Sequence, residues 1–167
     1  MIASEWTTRI ITSMSIVATI ILFNLSVLEK EELLANGRPF LFELAPRDPR
    51  SLMQGDYMVL RYRLAEEMET RPSNSLDQRG FLALQVEGNL VADGRFLSAA
   101  TDIAADEVLI EYKRVDDEIK IGPESFFFQE GDADLYAEAR YGELRIDEKG
   151  QTLLVGLRGK DQSPLRN

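Results

Sequence analysis

The chain has 167 residues, with 19 Lys and Arg against 29 Asp and Glu, a formal net charge of -10, and no cysteine or histidine. The acidic balance argues against a nucleic-acid partner, because phosphate contacts need clustered basic side chains. The missing cysteines exclude disulfides, thiolate metal sites and cysteine nucleophiles, and the missing histidines remove the commonest general base near neutral pH. We therefore expect no metal site and no cofactor, and any catalysis would have to use carboxylates, hydroxyls, lysine or tyrosine.

An uncharged run near the N-terminus is the first element along the chain. Residues 10–28 read IITSMSIVATIILFNLSVL, and as a helix they would span about 28 Å, close to the hydrocarbon thickness of a bilayer. A cleaved signal peptide is the alternative, but no small-x-small cleavage site follows Leu28. We predict a single transmembrane helix at 10–28, a cytoplasmic tail at 1–9 and a helical stalk at 29–38.

The short tail before this helix suggests an orientation. Arg9 lies at one end of the apolar run and Lys30 at the other, so positive charge alone gives only a weak bias. A tail this short normally stays in the cytoplasm. We therefore predict a single-pass protein of the inner (cytoplasmic) membrane with residues 30–167 extracytoplasmic, in the periplasm if the cell is Gram-negative.

The apolar period changes after the stalk from helical to alternating. Alternation over residues 39–45 and 58–64 predicts two strands. Turn signals predict three hairpins, which pair 81–86 with 90–97, 108–114 with 118–121, and 142–147 with 152–157. Residues 65–79 are polar and predict an exposed loop whose first turn can be helical, and Asp132 or Asp134 can cap a short helix further on.

These elements predict the fold class of the remaining chain. Short strands joined by tight turns are typical of mainly-β folds. We expect a β-rich domain at 39–158, either a small barrel or a two-layer fold with one or two short helices, followed by a polar tail at 159–167.

The segment PRDPRSLMQGDYMVLRY, residues 46–62, combines two prolines with several charges. Pro46 and Pro49 exclude a helix there, and Gly55 can supply the positive φ of a tight turn. One interpretation is a rigid corner in which Asp56 pairs with a nearby arginine. The other is a rigid loop that presents an anion or carboxylate site.

The same segment carries a resemblance to a known family. Gly55-Asp56-Tyr57, Leu60 and Tyr62 reproduce the pattern for which the GDYXXLXY family is named, and residues 126–147 resemble its C-terminal block. The similarity covers most of residues 10–158. It implies a bacterial membrane-anchored protein without an assigned activity, of a kind often encoded beside, or fused to, multi-pass membrane proteins.

The resemblance and the charges together suggest a binding site and a partner. The first hypothesis is an accessory or binding module for an integral membrane protein. Its candidate binding residues are Arg47, Asp48, Arg50, Asp56, Tyr57, Tyr62 and Glu130. An envelope structural protein without a ligand is a further alternative.

A signal-peptidase-like serine hydrolase is the alternative that would make the protein an enzyme. Pro49–Val59 is similar to the segment that follows the nucleophilic serine of membrane-bound signal peptidases, but no serine precedes it here. Ser51 lies inside the turn instead, and a Ser–Lys dyad needs a lysine kept neutral in an apolar setting. Only Lys113 occupies a strand-like run. These departures favour a binding protein over an enzyme.

Two further patterns have more than one interpretation. Glu130, Asp132 and Asp134 alternate as calcium ligands can, although an acid-rich helix N-terminus explains them better. Residues 126–128 are three phenylalanines. Alternation in a strand would expose either the central ring or the two flanking rings, as a docking patch or membrane contact, whereas a strand covered on both faces would hide all three.

Overall fold

The computed structural model describes residues 2–45, 57–71 and 77–165. Helix α1, Ile2–Asn36, is longer than the predicted span and continues without a break into the predicted stalk, where it ends two residues before the predicted boundary at 38. From Trp6 onward it is long and apolar enough to cross a membrane, and its most apolar stretch is not buried against the rest of the protein.

Four polar side chains inside α1 donate hydrogen bonds to carbonyl oxygens of the helix itself. The hydroxyls of Thr12, Thr19 and Ser26 donate to the carbonyl oxygens four residues earlier, at 2.9, 2.9 and 3.1 Å. The Asn24 amide donates to the Ile20 carbonyl at 2.8 Å. These four bonds would lower the cost of placing their donors in lipid, because each donor has a carbonyl partner within the helix.

Strands dominate the rest of the described chain. The strands are β1 Arg38–Glu43, β2 Tyr57–Val59, β3 Arg79–Glu87, β4 Leu90–Leu97, β5 Val108–Val115, β6 Glu118–Lys120, β7 Ser125–Phe127, β8 Tyr141–Ile146 and β9 Thr152–Arg158. Two helices interrupt them, α2 Arg63–Thr70 and α3 Ala133–Tyr136, with a 3₁₀ turn at Ala100–Asp102.

Seven strands form one curled sheet with the order β6-β5-β3-β4-β1-β8-β9, and β2 and β7 form a separate ribbon. Only β1 and β4 run parallel among these strand pairs. The sheet curls into a half-barrel, so that the turn between β8 and β9 reaches β5. The Glu111 N–H donates to the Gly150 carbonyl at 2.9 Å. This bond joins β5, in one half of the sheet, to the β8–β9 turn in the other half.

The concave side of the half-barrel holds the main hydrophobic cluster, which we call the barrel core. Helix α2 packs into it with Leu64, Ala65 and Met68, and Met68 is fully buried. The sheet and the adjoining segments contribute Phe40, Phe42, Tyr62, Leu82, Leu84, Val91, Ile110, Tyr112, Ile119, Ile121, Leu144 and Ile146. Burial of this apolar surface is the main stabilising contribution to the fold.

A second hydrophobic cluster, the distal cluster, lies beyond the end of β1 that is farther from α1. It consists of Met58, Leu60, Tyr136, Ala139 and Leu157. Half-buried Leu44 and Leu154 contact both clusters and connect them. The ribbon and α3 are therefore held against the sheet by apolar packing.

The structure confirms a mainly-β fold with short helices behind one long apolar helix. It also confirms the three predicted hairpins, which are β3-β4, β5-β6 and β8-β9. Their turns contain residues with positive φ, namely Gly88 at 67°, Asp116 and Asp117 at 51° and 67°, and Gly150 at 85°. Asp132 occupies the N-cap position of α3, one of the two predicted alternatives, although its side chain makes no capping hydrogen bond there.

Two predicted elements near residue 64 are wrong. The strand predicted over 58–64 ends at Val59, and the predicted loop after it begins with the eight-residue helix α2. Leu64, Ala65 and Met68 share one face of that helix, and their burial in the barrel core outweighs the alternating pattern that precedes them.

Candidate functional site

The candidate binding residues fall into two groups. Arg47, Asp48, Arg50 and Asp56 lie outside the described residues, so the proposed anion site on their loop stays a prediction. Tyr57, Tyr62 and Glu130 are described and occupy three different environments: the ribbon, the barrel core and an exposed turn before α3.

Tyr62 is a core residue with one satisfied polar atom. Its side chain is 3% exposed, and its hydroxyl donates to the Pro123 carbonyl at 2.8 Å. Its ring meets Phe42 edge to face, with 5.9 Å between centroids. Burial raises the pKa of Tyr62 well above its ordinary value, and the nearby Glu124 carboxylate adds to the rise. The hydroxyl stays protonated, which suits a structural role better than that of a catalytic base.

The backbone around Tyr62 ties three segments together. The Leu60 N–H donates to the Glu124 carbonyl at 2.6 Å, and the Ala45 N–H donates to the Arg61 carbonyl at 2.9 Å. Leu44 and Tyr62 form an isolated antiparallel bridge. Leu60 itself is 2% exposed in the distal cluster. Leu60 and Tyr62 of the GDYXXLXY pattern therefore hold the end of β1 to the chain that follows β6.

Tyr57 belongs to an exposed apolar surface on the ribbon. Tyr57 pairs with Phe127 across the two strands, and their ring centroids lie 5.6 Å apart. Phe127 is 73% exposed and Val59 is 37% exposed. We call Tyr57, Val59 and Phe127 the aromatic patch. Within the GDYXXLXY pattern, Tyr57 is the described aromatic residue that lies partly exposed at the surface.

The three consecutive phenylalanines alternate in their burial. Phe126 and Phe128 pack on Tyr136, at centroid distances of 5.0 and 5.3 Å, whereas Phe127 points outward. Of the three interpretations of this run, the exposed central ring is the correct one. The surface that it forms with Tyr57 could not be recognised from the run alone, because the pairing of β2 with β7 joins distant parts of the chain.

The cleft between α2 and β6 contains most of the paired charges near Tyr62. Arg61 binds Glu118 at 2.5 Å and lies 3.9 Å from Glu66, and Lys120 binds Glu124 at 2.8 Å. The volume of the cleft is about 20 Å³, which is room for roughly one water molecule. Such a cleft cannot admit an organic substrate without movement of its walls.

Two chemical alternatives find little support in the described structure. Lys113 is exposed on β5, directly opposite Arg79 and Lys120, and so lacks the apolar setting that a neutral lysine needs. Ser51 lies outside the described residues. Among the residues that are described, no three acidic side chains are grouped so as to hold a metal ion, so Glu130, Asp132 and Asp134 do not converge on one cation.

A close contact joins α1 to the curled sheet, and we call it the helix–sheet joint. Leu33 on α1 is 3% exposed, and the Gly37 N–H donates to its carbonyl at 2.9 Å. The Arg145 guanidinium on β8 donates to the carbonyls of Ala35 and Gly37, at 3.4 and 3.2 Å. A cation at a helix C-terminus is favourable because the last carbonyls carry partial negative charge.

The joint leaves no free linker between the helix and the sheet. A Cβ at Gly37 would lie 2.4 Å from the Leu33 carbonyl oxygen and 3.0 Å from the Arg145 Cβ, so the contact requires glycine. Asn36-Gly37 is a helix stop signal that is visible in the sequence, but no pattern near Arg145 indicates a contact with this turn.

Comparison with known proteins identifies the family of the chain. A family model described as GDYXXLXY protein matches residues 19–157, from the second half of α1 to the end of β9. No curated protein and no solved structure gives a significant match. Because the match covers most of the sequence, the chain belongs to the GDYXXLXY family.

Proposed function

We propose that the protein is a membrane-anchored extracytoplasmic binding module that acts beside an integral membrane partner. One observation carries the proposal. Helix α1 leaves its apolar surface unburied from Trp6 onward and then joins the sheet directly, through Leu33 and Arg145. A helix of this length and hydropathy satisfies its own backbone in lipid, as a spanning segment must.

The joint supports a fixed presentation of the domain. Because Leu33, Gly37 and Arg145 leave little freedom between α1 and β1, the sheet would hold one orientation relative to the membrane. Tethering in this way raises the effective concentration of the domain near a membrane neighbour, which compensates for weak contacts.

The aromatic patch supports a protein partner outside the bilayer. It lies beyond the far end of β1, a strand of six residues that spans about 17 Å from the joint. With the helix in an inner membrane and the domain in the periplasm, the patch would face away from the anchoring lipid. Exposed apolar residues of this kind are typical of docking surfaces.

Affinity purification from membranes tests the proposal. The full chain, extracted with a mild detergent together with its native neighbours, should enrich one integral membrane protein. Phe127→Ala, Arg47→Ala and Arg50→Ala should each reduce the recovered partner several-fold, and Arg79→Ala, on an exposed arginine of β3, should not. Absence of an enriched membrane protein would contradict the partner role.

Fusion reporters test the orientation separately. Alkaline phosphatase joined after residue 167 should be active, because it folds only outside the cytoplasm. A fusion that is inactive, while a cytoplasmic reporter at the same position is active, would contradict the proposed location of the domain.

A further inference from the structure

A groove separates α1 from β9 close to the helix–sheet joint. Its lining residues are Ser26, Val27, Lys30, Glu31, Leu34 and Leu153, and its volume is about 300 Å³. The walls are apolar, formed by Val27 and Leu34 on one side and Leu153 on the other. The groove is shallow and open to its surroundings along its length.

The groove lies at the level where a bilayer changes from hydrocarbon to head groups. The uncharged run of α1 ends at Leu28. Ser26 lies within that run, and Leu34 lies about 9 Å beyond its end along the helix axis. The head-group layer adds about 5–7 Å to each side of the hydrocarbon, so the groove spans the boundary between the two.

Two opposite charges border the apolar walls. Lys30 and Glu31 are neighbours in sequence, and neither side chain forms an ion pair or hydrogen bond with the described residues. An ammonium group and a carboxylate side by side match a ligand that carries both signs. A purely anionic head group would satisfy Lys30 but meet repulsion from Glu31.

We propose that the groove binds a zwitterionic phospholipid whose head group carries a primary amine, as phosphatidylethanolamine does. The first methylenes of its acyl chains pack on Val27, Leu34 and Leu153, its phosphate binds Lys30, and its ammonium group binds Glu31. This inference rests on the proposed function, because it requires α1 to span a bilayer. The lipid would stabilise the helix–sheet joint from its open side.

Native mass spectrometry of the full chain tests this inference. Protein extracted from membranes is offered equal amounts of phosphatidylethanolamine and phosphatidylglycerol, and the retained lipid is counted. We expect one phosphatidylethanolamine per chain, retained in preference to phosphatidylglycerol. Equal retention of the two lipids, or retention of neither, would overturn the inference.

Matched variants separate the groove from the general charge of the helix. Glu31→Gln should lower the preference for phosphatidylethanolamine about three- to fivefold, the effect of one exposed ion pair. Glu32→Gln removes the same charge one residue further along α1, outside the groove lining, and should leave the preference unchanged. An equal effect of both variants would contradict a specific site.

A cross-linking experiment distinguishes lipid from a partner helix in the groove. The chain has no cysteine, so Leu153→Cys provides a unique position for a photoreactive label. An adduct with phospholipid supports the inference, and an adduct with another protein overturns it. Resistance of the chain to carbonate washing is measured in parallel, because a chain that stays in the membrane without lipid selectivity contradicts this inference alone. A chain that washes off contradicts the proposed function as well.

Discussion

The two tyrosines of the GDYXXLXY pattern lie in opposite environments. Tyr62 is 3% exposed, with its hydroxyl bonded to Pro123, whereas Tyr57 lies on the ribbon beside Phe127, which is 73% exposed. The pattern that names the family therefore includes residues of both kinds. Leu60 and Tyr62 are core residues, whereas Tyr57 is the fixed position of the described part of the pattern that lies partly exposed.

The same contrast separates the two ends of the domain. The end near α1 is fixed by the helix–sheet joint and by the bond from Glu111 to Gly150. The far end consists of the distal cluster and a two-stranded ribbon, which presents apolar side chains to solvent. The helix–sheet joint lies where the domain meets the apolar helix α1, and the exposed apolar surface lies at the opposite end.

The largest expected effect is at Tyr62. Tyr62→Ala should lower the free energy of unfolding by about 3–5 kcal/mol, because it opens a large cavity in the barrel core. Tyr62→Phe should cost about 1–2 kcal/mol, since it leaves the partly buried Pro123 carbonyl without its donor. Urea unfolding of the full chain in detergent, followed by near-ultraviolet circular dichroism, measures both. If Tyr57→Ala lowered the free energy of unfolding as much as Tyr62→Ala, the two tyrosines would not differ in their contribution to the fold.

The next largest effect is expected at Gly150, where the turn between β8 and β9 contacts β5 and closes the half-barrel. Gly150 has a φ of 85°, and a Cβ there would lie 3.0 Å from the Glu111 nitrogen. Gly88 has a similar φ of 67° but no atom within 4 Å of its Cβ position. Gly88→Ala should therefore cost about 1 kcal/mol of backbone strain. Gly150→Ala should cost about 2–3 kcal/mol, because steric crowding adds to the same strain.

The same urea titration measures both glycine variants. Equal losses for Gly88→Ala and Gly150→Ala would show that contact with β5 contributes nothing to stability. A larger loss at Gly150 would locate part of the free energy of unfolding in the closure of the sheet.

A smaller effect on stability separates the two faces of the ribbon. Phe127→Ala should change the free energy of unfolding by less than about 0.5 kcal/mol, as exposed substitutions usually do. Phe126→Ala should cost about 1–2 kcal/mol, because its half-buried ring packs on Tyr136. Partner recovery should show the opposite order, with the larger loss for Phe127→Ala. If Phe126→Ala reduced recovery more, the aromatic patch would not be the docking surface.

The predictable part of the fold is local in sequence. The turns at Gly88, Asp116, Asp117 and Gly150 could be located because residues that tolerate positive φ lie between alternating runs. The apolar helix was equally clear, since nineteen uncharged residues need no tertiary context to be recognised.

The parts that were missed depend on contacts between distant residues. The parallel pairing of β1 with β4 joins Leu41 to Leu90, and the ribbon joins Tyr57 to Phe127. Helix α2 was missed beyond its first turn because its eight residues are largely charged and only Leu64, Ala65 and Met68 are buried. The candidate site is predicted from motif resemblance, and the structure places its Tyr62 in the barrel core with the hydroxyl bonded to Pro123.

The smallest expected effect concerns an ion pair that holds a surface loop to β4. The Arg95 guanidinium donates two bonds to the Glu107 carboxylate, at 2.8 and 2.6 Å, and the Ala104 N–H donates a third at 2.9 Å. The hydrogen bonds from Arg95, followed by that from Ala104, lower the pKa of Glu107 from 4.5 to about 2. A carboxyl group with a lowered pKa in the folded state stabilises that state when it is ionised.

Because the pKa of Glu107 is lowered in the folded state, its contribution to stability is confined to a defined pH range. The contribution of Glu107 should be complete above pH 4.5 and should disappear as the pH falls towards 2. Glu107→Gln should therefore be slightly less stable than the unmodified chain near pH 7, and the two unfolding midpoints should converge only as the pH falls to about 2. Glu87→Gln changes an exposed carboxylate that forms no ion pair in the described chain, and should show no such convergence. A constant difference between Glu107→Gln and the unmodified chain from pH 7 to pH 2 would show that Glu107 acts through packing and not through its charge.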